Sequence, residues 1–168
     1  LGRLPSDLSG VACAPADIGV VLADGLSPTA LMHHGVLLLE ALIAELEGYT
    51  LAAPVIATQA RVALGDHIAM RGQYTTLLVI IGERPGLSVA DSLGIYLTHR
   101  PRPGCSDADR NCISNIHPPD GLGYREAARI AASLVAGARA LGRSGVALKD
   151  TSRGGALEAG TGPAAEIR

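Results

Sequence analysis

The run Leu77-Leu78-Val79-Ile80-Ile81 constrains the fold of this chain more than any other stretch. Consecutive apolar residues with several β-branched members, stopped by a glycine, describe a strand buried on both faces. Such a strand sits inside a covered sheet, and the covering elements must come from elsewhere in the chain. Directly after it comes Gly82-Glu83-Arg84-Pro85-Gly86-Leu87. Ligands of open α/β sheets bind at the carboxyl ends of the strands. Glu83 and Arg84, bracketed by two glycines and a proline at such an end, therefore read as ligand-facing residues.

The neighbouring segments supply the rest of a layered domain. Ile18-Gly19-Val20-Val21-Leu22-Ala23 reads as a buried strand closed by Asp24-Gly25. Ser27 is placed to cap a helix and Pro28 to open it. The helix is expected over residues 29–47, with Leu31, Met32, Leu38, Leu39, Leu42, Ile43 and Leu46 inward and Gly48 ending it. Residues 51–57 give a second strand, which Pro54 delays or confines to an edge. A short helix over 61–71 buries Val62, Ile68 and Ala69, and residues 93–98 form a fourth strand. Residues 99–123, rich in Pro, Asp, Arg and Asn, read as a long loop of the functional kind. A last helix, residues 124–141, aligns Ala127, Ala131, Leu134, Val135, Ala138 and Leu141 and stops at Gly142. Alternating strands and helices predict one α/β domain over residues 1–149 with a mostly parallel sheet. The Gly/Ala-rich residues 150–168 are expected to be a disordered tail.

Composition narrows the partners. The 168 residues include no Phe, no Trp and four Tyr, so the core must be aliphatic and the stacking platforms of single-strand nucleic-acid binders are missing. A net charge of −2 without a Lys/Arg block argues against a phosphate-backbone footprint. No apolar run reaches bilayer-spanning length. Cys13, Cys105 and Cys112 lack metal-site or disulfide-framework spacing, so a reducing, cytoplasmic setting is the default. The chain begins at Leu1 without a Met, as a fragment of a longer protein would.

Three polar clusters fall at predicted strand ends: Asp24-Gly25-Leu26-Ser27, Glu83-Arg84 and Thr98-His99-Arg100. In a parallel sheet they would meet on one edge, joined by Arg61. Each has a plainer reading as well. Asp24-Gly25 can be a turn with Ser27 as a cap, Glu83-Arg84 a surface turn and Arg61 a solvated side chain. Arg102, Asp107, Asp109 and Arg110 read as solvated loop surface. His33-His34 lies inside the long helix, where metal binding would need partners that the sequence does not reveal. Cys112 and His117 raise the option of a cysteine hydrolase, without an oxyanion-hole or third-group motif to support it. Residues 82–86 match neither GxGxxG nor a P-loop, which weighs against a nucleotide fingerprint.

Taken in order, several blocks resemble the small (light) subunit of ethanolamine ammonia-lyase. They are Val21-Leu22-Ala23-Asp24-Gly25-Leu26-Ser27, Arg61-Val62, Asp66-His67-Ile68, Ile81-Gly82-Glu83-Arg84-Pro85-Gly86-Leu87, Asp91-Ser92-Leu93 and Asp109-Arg110-Asn111-Cys112-Ile113-Ser114-Asn115-Ile116-His117. The resemblance covers most of residues 17–142. It implies a Rossmann-like three-layer domain in an adenosylcobalamin-dependent enzyme that converts ethanolamine to acetaldehyde and ammonia by radical chemistry. It further implies a large barrel subunit as partner, with the small subunit closing over the cobalamin, in a cytoplasmic setting within a bacterial microcompartment. Carried over by motif, the cofactor contacts are Val62, Glu83 and Cys112, with Arg61 and Arg84 as secondary candidates and no catalytic acid or base. Typical members have an N-terminal region ahead of the strand-one block that is absent here. The alternative from the residues alone is a non-enzymatic Rossmann-like module that binds a small molecule.

Overall fold

A computed structural model of the protein describes residues 8–83 and 91–148. Its elements in chain order are β1 (Ala16–Ala23), α1 (Pro28–Glu45), β2 (Val55–Ala57), α2 (Leu64–Gly72), β3 (Tyr74–Glu83), β4 (Ser92–His99), β5 (Asn111–Ile116) and α3 (Tyr124–Leu141), with a 3-10 turn at Asp107–Asp109. The strands form one sheet in the order β2-β1-β3-β4-β5. β3 lies at its centre, as the uninterrupted apolar run requires, and Leu77, Leu78 and Ile80 are fully buried. β2 is an edge strand and begins after Pro54, whose missing N–H suits an edge.

Helices cover the sheet unequally. α1 contributes Leu38, Leu42 and the flanking Leu46, and α3 contributes Ala127, Ala128, Ala131, Val135 and Ala138. Both pack on the face carrying Val20, Leu22, Leu78, Ile80, Leu93, Ile95, Leu97, Ile113 and Ile116. The alanine face of α3 lets that helix lie close to α1 and the sheet. α2 covers the other face with Ile68 and Ala69 against Val21, Ala23, Leu77, Val79 and Ile81. Three layers result, although α2 covers only the β1–β3 half of its side.

Ser27 caps α1, its hydroxyl accepting from the Ala30 N–H at 3.2 Å, with Pro28 in the first turn. α3 ends in a left-handed Gly142. Two residues expected inward on α1, Met32 and Ile43, are 81% and 46% exposed. The inner face follows Leu38, Leu42 and Leu46, and Ile43 lies about 100° round the helix from Leu42. Leu141, expected on the buried face of α3, is exposed at its last turn.

The expectation of a mostly parallel sheet is overturned. β1 pairs in parallel with β2 and β3, whereas β3–β4 and β4–β5 run antiparallel. The connection from β3 to β4 is the reason. Only residues 84–91 separate Glu83 from Ser92, and a parallel crossover needs about a dozen residues or more. The segment 99–123 also contains β5, which the sequence reading leaves inside a loop. Among the described residues no helix is long and apolar enough to cross a membrane. Arg84, Pro85, Gly86 and Leu87, and the tail from residue 149 onward, lie outside the described residues.

Candidate functional site

The reversal of β4 splits the three predicted clusters. The turn after β1 and the end of β3 share one edge of the sheet, while Thr98, His99 and Arg100 lie at the opposite edge, where His99 pairs with Thr76. The Thr98-His99-Arg100 cluster is therefore removed from the candidate site. His99 and Thr98 are buried there, with His99 Nδ1 2.9 Å from Thr76 Oγ1.

The first two clusters are locked together. The Leu26 N–H donates to the Gly82 carbonyl at 2.9 Å. The carbonyls of Asp24 and Ser27 pass so close to Gly82 that any side chain there would collide with backbone. A glycine at the head of the Gly-Glu-Arg-Pro-Gly block is thus a packing requirement. Asp24 fixes the loop after β2, its carboxylate accepting from the N–H groups of Gln59 at 2.6 Å and Ala60 at 2.9 Å. Burial raises its pKa, but these backbone donors outweigh that effect and hold it below the usual value. Arg61 then donates through Nη1 to the Gly25 carbonyl at 2.7 Å, which aligns the start of α2 with the turn after β1.

These constraints shape a concavity of about 410 Å³ lined by Gly25, Leu26, Arg61, Val62, Ile81, Gly82, Glu83 and Tyr96. It opens at the carboxyl ends of β1 and β3. Those neighbouring strands have connections that leave in opposite directions, the position where such sheets hold ligands. Arg61, Val62 and Glu83, predicted from sequence, converge there. Cys112 joins the same face because it stands opposite Tyr96 in the β4–β5 register, and its thiol hydrogen bonds with the Tyr96 hydroxyl.

Glu83 reaches the site by an unusual route. Its side chain lies across Gly94 of β4, where an added methyl would collide with the carboxylate, and it meets the Tyr96 hydroxyl. The backbone N–H of Asn115 is its other partner. That N–H is freed from the ladder by a β-bulge. Leu93 pairs with Ile116 and Ile95 with Ile113, so Ser114 and Asn115 together oppose Gly94, and Asn115 has φ +63°. Burial raises the pKa of Glu83, and the two hydrogen bonds pull it down without cancelling the effect. Tyr96 is raised by burial first and then by Cys112 and Glu83.

Tyr96, Gly94 and Asn115 are site residues that the sequence reading missed. The alternation Ser92, Gly94, Tyr96, Thr98 on one face of β4 was the available signal. Arg110 was misassigned. Expected as solvated loop, it is buried and forms a bidentate pair with Asp66 at 2.7 and 2.9 Å. It also donates to Thr98 Oγ1 at 2.7 Å and to the Cys105 carbonyl at 3.1 Å. This pair ties α2, which begins just after Val62, to the start of β5, which carries Cys112. The cysteine-hydrolase option finds no support. His117 Nε2 bonds to Asn115 Oδ1 at 2.8 Å, Cys112 engages Tyr96, and burial raises the Cys112 pKa so that the thiol stays protonated.

The fold is a mixed α/β domain with a five-stranded open sheet and a concavity at the carboxyl ends of β1 and β3. Sequence comparison specifies its family. The chain matches the family described as Ethanolamine ammonia-lyase light chain (EutC) over residues 3–149, and it belongs to that family. It is 65% identical over 161 residues to an ethanolamine ammonia-lyase small subunit of Rhodococcus erythropolis, covering 95% of this chain and 63% of that protein. Small subunits of the same name from Xanthomonas campestris pv. campestris and Rhodopseudomonas palustris are 48% and 46% identical over 137 and 156 residues. Those matches cover 80% and 92% of this chain and 50% and 58% of the relatives. The chain thus spans between half and two thirds of the length of these proteins.

Proposed function

We propose that this chain is the cobalamin-contacting part of the small subunit of an adenosylcobalamin-dependent ethanolamine ammonia-lyase. Its Rossmann-like character is confined to the parallel half of the sheet, and a large barrel subunit completes the site. The observation that carries this reading is the convergence of Arg61, Val62 and Glu83 on one open concavity, with Cys112 beside Tyr96 on the same uncovered face.

The residues suit the group. Cobalamin offers a broad apolar macrocycle rimmed by amides, and a cofactor site of this type is mostly apolar with a few placed polar groups. Val62, Leu26 and Ile81 supply the apolar contact. Glu83, held by Tyr96 and Asn115, keeps a carboxylate oxygen for an amide N–H on the rim. Cys112 presents a small protonated thiol, and Arg61 holds the Gly25 turn that bounds the pocket. Arg84 follows Glu83 in the chain and is a secondary contact in this proposal. When bound, adenosylcobalamin supplies the radical that starts the conversion of ethanolamine to acetaldehyde and ammonia. This chain's part is to hold the cofactor and exclude water, within a cytoplasmic microcompartment.

The test is Glu83→Ala in the complex of small and large subunits, followed by cobalamin absorbance after gel filtration. Loss of a charged hydrogen bond is worth about 1.5–3 kcal/mol, so retention should weaken by about tenfold to a hundredfold while the unfolding temperature barely moves. Unchanged cofactor affinity, or full turnover by the small subunit alone, would exclude the proposal.

A further inference from the structure

We propose that His33, His34 and Asp91 form a binding site for one divalent transition-metal ion of the zinc type. The two histidines stand on α1 and the carboxylate lies at the start of β4, on the helix-covered side of the sheet, away from the Glu83 concavity. One ligand atom from each residue lies within 4.8 Å of the others. Asp91 Oδ2 is 3.2 Å from His33 Nδ1 and 3.4 Å from His34 Nε2. A tetrahedral ion with bonds of about 2.0–2.1 Å has ligand-to-ligand edges of about 3.3–3.4 Å. Two of the three edges are therefore already at the required length. Imidazole nitrogen with carboxylate oxygen is a donor set that zinc accepts.

His34 gives the independent sign. Its Nδ1 lies 2.6 Å from the Tyr124 hydroxyl at the start of α3. Its Nε2 is buried and has no hydrogen-bond partner among the described residues, although it faces the Asp91 oxygen. In the tautomer whose Nδ1–H donates to Tyr124, Nε2 presents a lone pair to the carboxylate, an arrangement that a cation between them satisfies; in the other tautomer Nε2–H faces Asp91. A histidine that donates its other ring N–H to a fixed acceptor is the usual outer-shell arrangement of a metal ligand. His33 and Asp91, with side chains 59% and 43% exposed, leave an entry path and a fourth position for water. Since Asp91 adjoins Ser92, which pairs with Glu83, the ion would fix the β3–β4 edge.

The experiment titrates the full protein, stripped with a chelator, with Co2+ as a spectroscopic stand-in for Zn2+. Expected is one Co2+ per chain, with visible d–d bands of a four-coordinate site, no thiolate charge-transfer band, and displacement by Zn2+. His34→Gln and Asp91→Asn should abolish the bands, and Tyr124→Phe should weaken binding by about 10–100-fold. Cys112→Ser and His117→Ala should leave the spectrum unchanged. Circular dichroism of each variant reports folding, and His33→Ala at the exposed position provides a second loss-of-binding variant that does not disturb packing. Failure to bind Co2+ stoichiometrically at micromolar concentration, or a spectrum retained in His33→Ala and Asp91→Asn, overturns the proposal and leaves a plain His33–Asp91 hydrogen-bonded pair.

Discussion

Breaking the Asp66–Arg110 pair from its two sides should give unequal penalties. Asp66 and Arg110 side chains are 2% and 3% exposed and joined at 2.7 and 2.9 Å. Removing one partner of a buried pair costs about 3–5 kcal/mol, because the other charge is left uncompensated. Asp66→Ala strands a guanidinium that still donates to Thr98 Oγ1 and the Cys105 carbonyl, so its cost should fall near the lower end, about 3 kcal/mol. Arg110→Met strands a carboxylate with no other hydrogen-bond partner among the described residues. Its cost should therefore fall near the upper end, about 5 kcal/mol. Urea unfolding of both variants at pH 7 measures the two penalties, and that of Arg110→Met should be the larger. The double variant Asp66→Ala/Arg110→Met should cost about 2 kcal/mol less than the sum of the single changes. Equal penalties for the two single changes, or simple additivity, would refute the reasoning.

Two further outcomes follow from neighbouring geometry. Gly94→Ala places a methyl against the Glu83 carboxylate, the far end of a flexible side chain; stability should change by less than about 1 kcal/mol, whereas cobalamin retention in the two-subunit complex should fall nearly as far as in Glu83→Ala, and full retention would show that the path of Glu83 over Gly94 does not matter. Asp17 is held down to about 2 from 3.8, chiefly by the Thr50 N–H and hydroxyl and then by Arg139. A carboxyl with a depressed folded pKa stabilises above its unfolded pKa and loses that contribution as pH falls from about 4 to about 2. Thermal unfolding of Asp17→Asn should accordingly differ from the parent protein at pH 6 and converge with it near pH 2.

The central strand, the capped first helix and the last helix were legible because each rests on local chemistry. The apolar run ending at Ile81, Ser27 with Pro28, and the alanine spacing of α3 ending at Gly142 each specify their element without knowledge of neighbours. The direction of β4 was not legible from its residues, since Leu93, Ile95 and Leu97 alternate identically along a parallel or antiparallel strand. Only the short connection of residues 84–91 carried that information. β5 was hidden for another reason. Asn111-Cys112-Ile113-Ser114-Asn115-Ile116 buries Ile113 and Ile116 alone, and its bulge breaks the two-residue period that would mark a strand. Arg110 looked like loop surface because a buried arginine is recognisable only with its partner, and Asp66 lies 44 residues away.

The antiparallel half of the sheet explains why the site faces outward. A sheet buried on both faces needs apolar residues on both, as in β3. β4 and β5 are apolar on the α1/α3 side only, through Leu93, Ile95, Leu97, Ile113 and Ile116. Their other face carries Gly94, Tyr96, Thr98 and Cys112, with Glu83 folded over it. No helix among the described residues covers that face beside α2. A helix packed there would bury the Glu83 carboxylate against apolar side chains, whereas a ligand rimmed with amide donors can satisfy it. The Asp66–Arg110 pair then has a positional consequence beyond stability. It spans from α2, next to Val62, to the strand carrying Cys112, and so joins the elements that carry two of the proposed cofactor contacts. In the cobalamin reading, a variant that loosens this pair without unfolding the domain should weaken cofactor retention even though neither residue touches the cofactor.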